Sequence, residues 1–79
     1  MTNSAMLRNR IKESGLMLDF IREKLGISYP ALKKKIDGDV EFKASEIFIL
    51  CDILGIADME EQKSIFFADN VERNSTLPA

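Results

Sequence analysis

Four solitary glycines, at positions 15, 26, 38 and 55, divide this chain into short segments. Each follows a stretch whose apolar residues recur at helical spacing, which is how helix ends punctuate a sequence. No segment alternates β-branched residues between hairpin turns. The chain therefore reads as all-α, with about five short helices and no room for a long one.

The first helix is expected from Asn3 or Ser4 to Ser14, with Met6, Leu7, Ile11 and Ser14 on its inner side. The second runs from Leu18 to Leu25, where Leu18, Ile21 and Leu25 form one stripe. Asp19 lies in its first turn, where a carboxylate suits the helix dipole. Gly26 then breaks the chain sharply, as a left-handed residue does. Ser28 is a good N-cap for a third helix that ends near Ile36 or Asp37. Pro30 falls in its first turn, where an amide hydrogen has no intrahelical partner. The fourth helix covers Ala44 to Leu54. The fifth covers Met59 to Ala68, with Asp58 as cap and Glu61 completing a capping-box-like pair. Residues 1–68 are read as one domain, and 69–79 as a flexible tail without periodicity.

Seventy-nine residues make one small domain. The chain has no histidine and one cysteine, Cys51, read as a small core residue. That removes an internal disulfide, a Cys–His dyad and a zinc site. No serine has a histidine to activate it, and no glycine-rich phosphate loop is present. The expectation is a protein that is not an enzyme and needs no cofactor or metal. The N-terminus has no apolar stretch of signal-peptide length, and the longest strictly apolar run is Ile47 to Cys51. A soluble, cytoplasmic protein without a membrane partner is expected.

The net charge of −2 hides a division. Residues 1–45 hold nine Lys/Arg against six Asp/Glu, and residues 46–79 hold two against seven. Three of the basic residues are consecutive, Lys33, Lys34 and Lys35, on the third helix. Two short helices joined through Leu25-Gly26-Ile27-Ser28 are themselves a helix-turn-helix signal. Leu25 and Ile27 plug the corner, and Leu32 and Ile36 hold the third helix against the second.

From Phe20 to Ser28 (FIREKLGIS), then at Leu32 and Ile36-Asp37-Gly38, the chain resembles the Cro/repressor-type helix-turn-helix family of small phage and prophage regulators, also called xenobiotic-response-element-like. Glu41 to Ile47, Leu50-Cys51, Leu54-Gly55-Ile56 and Ile65 to Ala68 continue the likeness, which covers about Leu7 to Ala68. The resemblance implies a compact five-helix lambda-repressor-like domain that regulates transcription. Its third helix would lie in the major groove of operator DNA, and a homodimer would read two half-sites. It implies a bacterial setting at the nucleoid, with a phage-encoded origin. Carried over by position, the groove-facing residues would be Ser28, Tyr29, Pro30, Lys33, Lys34 and Asp37.

A helical wheel supports that set separately. With Leu32 and Ile36 facing inward, Pro30, Lys33, Lys34 and Asp37 point outward, while Lys35 falls on the opposite flank. Lys35 is expected to lie along the protein, its stem on apolar surface. Tyr29 is either a base or phosphate contact or a half-buried ring beside Leu32. Lysine can donate to guanine, but no Asn, Gln or Arg on this helix offers a bidentate base contact. Lys43, at the start of the fourth helix, would turn its backbone N–H to phosphate. Arg8, Arg10 and Lys12 on the first helix are weaker candidates for the same role.

The pattern departs from the family at two positions. Arg22 stands where a small residue is usual, and is expected to thread between the second and third helices or to open their crossing. Leu18 stands where glutamine often contacts phosphate. The fourth helix is apolar nearly all round: Ile47, Leu50, Cys51 and Leu54 form its core stripe, with Phe48 and Ile49 on either side. Phe48 and Ile49, with Phe66 or Phe67 of the fifth helix, are a candidate dimer face, unless the fifth helix alone covers them. These features also frame an alternative: an antirepressor-like regulator on the same fold that binds another repressor protein rather than DNA.

Overall fold

The structure is a computed structural model and describes residues 1–68; the expected tail lies outside them. Five helices and no strand are present among the described residues: α1 (Ser4–Ser14), α2 (Leu18–Leu25), α3 (Tyr29–Ile36), α4 (Ala44–Leu54) and α5 (Met59–Phe66). No helix among these residues is long and apolar enough to cross a membrane.

The caps set the boundaries. Asn3 accepts from the Met6 N–H and Ser28 from the Ala31 N–H, each supplying an acceptor to an orphan first-turn donor. α1, α2 and α4 end at glycines in the left-handed region, as at Gly26 with φ 71°. There the Gly26 N–H reaches the Glu23 carbonyl and the Ile27 N–H reaches the Arg22 carbonyl, closing the end of α2 within two residues. Only three residues then separate α2 from α3.

α5 is shorter than expected. At Phe67 the chain leaves helical geometry (φ −128°), and Ala68 donates to the Met1 carbonyl. The N-terminal arm lies against this end of the fold: the Asn3 N–H donates to the Ile65 carbonyl at 2.6 Å, and Thr2 is buried. Asp58 caps α5 through the Glu61 N–H, but the Glu61 carboxylate does not complete the box. It pairs instead with Arg10 at 3.0 Å.

α2 packs on α3 and α4, and α1 packs on α3, α4 and α5. Leu7 and Ile11 from α1, Ile21 from α2, Leu32 and Ile36 from α3, and Leu50 and Leu54 from α4 fill the centre. Ile65 and Phe66 close it, Phe66 edge-to-face on Phe42 with ring centres 5.8 Å apart. Met6, expected inside, is exposed, and Ser14 turns its hydroxyl onto the Ile11 carbonyl. Phe66 is core and cannot belong to a dimer face; α5 points it inward beside Ile65. Cys51 is buried and free; burial, and then the Glu61 carboxylate, push its thiol pKa up, which keeps it protonated and unreactive at neutral pH.

Candidate nucleic-acid interface

α3 is held from behind by a buried ion pair. Lys35 and Glu46 are both more than nine-tenths buried, and the Lys35 ammonium donates to Glu46 Oε1 at 2.6 Å. The same oxygen accepts the Lys43 N–H at 2.8 Å. Burial by itself would raise the Glu46 carboxyl pKa. The Lys35 hydrogen bond, the Lys43 N–H and the two lysine charges outweigh it and hold the group below its ordinary value. Glu46 is therefore ionised at neutral pH and ties α3 to the start of α4.

This corrects two expectations. Lys35 does not merely lay its stem on apolar surface; its charge is inside the protein and paired. The Lys43 backbone N–H is not free for phosphate, because Glu46 takes it; only the exposed Lys43 ammonium remains. Sequence reasoning did not single out Glu46. Its signal was the spacing, three residues beyond the N-cap Lys43, where a glutamate reaches back to the cap N–H.

The front of α3 is open. Ser28, Tyr29, Pro30, Lys34 and Asp37 are exposed, and Lys33 is half-buried. Tyr29 is 47% exposed, so about half of its side chain is open to solvent. Ser28 Oγ accepts the Ala31 N–H, leaving its own hydroxyl hydrogen available outward. Lys33 and Lys34 have no ion-pair partner among the described residues. Asp37 is bound by the Arg8 guanidinium from α1, so its negative charge is offset beside the lysines. The C-terminal end of α3 is tied as well: the Lys34 carbonyl accepts from the Asp39 N–H at 2.9 Å. The helix thus presents two free ammonium groups, a phenol and a hydroxyl on a firmly held backbone. That is chemistry suited to phosphate oxygens and base edges.

The remaining cations divide. Arg10 is structural. Its guanidinium donates to the carbonyls of Leu54 and Gly55 at 3.2 Å each, at the negative end of α4, and pairs with Glu61. Lys12 is exposed. Arg22 neither threads between α2 and α3 nor opens them. It folds back along its own helix onto Asp19 at 2.7 Å, leaving the crossing to Ile21. Leu18 is half-buried and, with Ile11 and Ile36, floors a shallow groove edged by Arg8, Lys12 and Lys33.

α4 carries exposed apolar surface. Phe48 is 79% exposed, so α5 does not cover it; Ile49 is half-buried and Phe67 is exposed. Among the described residues no group of three or more His, Cys, Asp or Glu is placed to hold a metal ion. Compared with protein-family models, with curated proteins and with solved structures, the chain matches none.

Proposed function

We propose that this protein is a DNA-binding transcriptional regulator of the Cro/repressor type, in which α2 and α3 form a helix-turn-helix and α3 enters the major groove. One observation carries the reading: α3 is fixed from behind by the buried Lys35–Glu46 pair while Lys33 and Lys34 stand unpaired in front. A positively charged helix of this kind, held in a protein of net charge −2, is what a negatively charged partner would select. Ser28, Tyr29, Pro30, Lys33 and Lys34 would meet the groove, with the Lys43 ammonium and Arg8 at its edges. Asp37 serves by orienting Arg8 rather than by touching DNA itself. Affinity would come largely from phosphate neutralisation and fall steeply with salt. No cofactor takes part.

The test is a gel shift on DNA flanking the protein's own gene at two salt concentrations. Retention at low salt that weakens at high salt is expected; no retention at either overturns the reading. The exposed Phe48 and the acidic second half favour a second reading, a regulator that binds another repressor. It predicts a stable complex with that protein and no DNA retention.

A further inference from the structure

We infer that α4 pairs antiparallel with α4 of a second copy, about a two-fold axis at Phe48, and that Asp52 of each copy caps the partner's α4. Phe48 is the most exposed of the large apolar side chains, and a groove begins next to it. Cys51, Asp52, Gly55, Ile56 and Ala57 line that groove, on the C-terminal side of Phe48 along α4. A helical side chain leans toward its own N-terminus. In an antiparallel pair that direction is the partner's C-terminal half, so each Phe48 leans into the other copy's groove. Knob and hole lie on one face, which is what a closed two-fold contact requires.

Charge fits the same register. The exposed stripe of α4 is Ala44, Ser45, Phe48, Asp52 and Gly55, so only Phe48 is bulky and the helices can approach closely. In the first turn of α4 Glu46 takes only the Lys43 N–H; the N-cap side chain is a lysine, which accepts no hydrogen bond from the donors that follow. Among the described residues the Ala44 and Ser45 N–H groups have no acceptor, and Asp52 has no ion-pair partner. Asp52 and Ala44 each lie four residues from Phe48, about 6 Å along the axis in opposite directions. Antiparallel pairing brings the carboxylate of one copy to the open amides of the other, twice over.

This pairing deepens the dimer element of the reading above but does not depend on DNA. Sedimentation without DNA tests it, and the gel shift tests the other. Wild-type protein is expected to show a reversible monomer–dimer equilibrium from micromolar to submillimolar concentration. Phe48→Asp and Ala57→Glu, both at exposed positions, should raise the dissociation constant at least about tenfold with thermal midpoints little changed. Register is read in a Cys51→Ala background by mixing Ala44→Cys and Asp52→Cys chains under mild oxidation. The mixed disulfide should form well ahead of either self-pairing. A wild type that stays monomeric throughout overturns the inference, as does an Ala57→Glu variant that dimerises like wild type. Cross-linking without preference for the mixed pair, between chains that keep the wild-type circular dichroism, overturns the antiparallel register.

Discussion

Lys34 and Lys35 are consecutive residues with opposite roles. Lys35 lies behind α3, its charge sealed against Glu46; Lys34 lies in front, its charge in solvent. Electrostatics inside the protein is expensive to disturb, whereas outside it is screened and inexpensive. The back of α3 should therefore govern stability, and the front should govern what the protein binds.

Removing one partner at the back should give the largest effect. Glu46→Gln leaves Lys35 buried beside an uncharged group and should cost about 3 kcal/mol. For a domain of this size that lowers the thermal midpoint by roughly 12–24 °C, measured by circular dichroism. Replacing both partners, Lys35→Met with Glu46→Leu, should recover most of that loss, because no charge is then stranded. A double variant no better than Glu46→Gln would show that the pair's geometry, rather than its desolvation, holds the corner.

Acid should attack the back as well. The folded Glu46 pKa lies below the ordinary carboxylate value, so the pair's contribution is complete above that value. It is lost as pH falls through the depressed folded value. Wild-type stability should decline on acidification more steeply than that of Glu46→Gln, as urea titrations at successive pH values would record.

The front should be nearly silent in stability. Lys34→Ala should change it by less than about 0.5 kcal/mol. The same substitution should weaken retention of all DNA sequences and flatten the salt slope by about one unit. Unchanged affinity and slope would remove Lys34 from the proposed interface. Asp37→Asn breaks an exposed pair with Arg8 and should also cost less than about 0.5 kcal/mol.

The division between front and back was partly legible in the sequence. The wheel placed Lys35 apart from Lys33 and Lys34, because periodicity reports which way a side chain points. It could not report that Glu46, eleven residues on, would meet Lys35, since that depends on how α4 docks. Helix ends were readable wherever a glycine or a serine cap supplied a local reason, as at Gly26 and Ser28. The end of α5 was not, because the N-terminal arm competes there for the chain. Arg22 looked disruptive on a wheel, yet Asp19 one turn earlier gave it a local partner. Phe66 and Phe67 were indistinguishable by composition, and only packing against Phe42 separated them.

The bonds between the N-terminal arm and the end of α5 bear on how the chain comes to fold. Asn3 meets Ile65, and Met1 meets Ala68, so residues that precede α1 wait for residues at and beyond the end of α5. Such contacts carry the greatest loop-closure cost in the molecule. On the ribosome, α1 to α4 can gather as they emerge, but the core remains unclosed until α5 is free to receive the arm. A growing chain halted before Ile65 should therefore stay open to proteolysis, however complete α3 is.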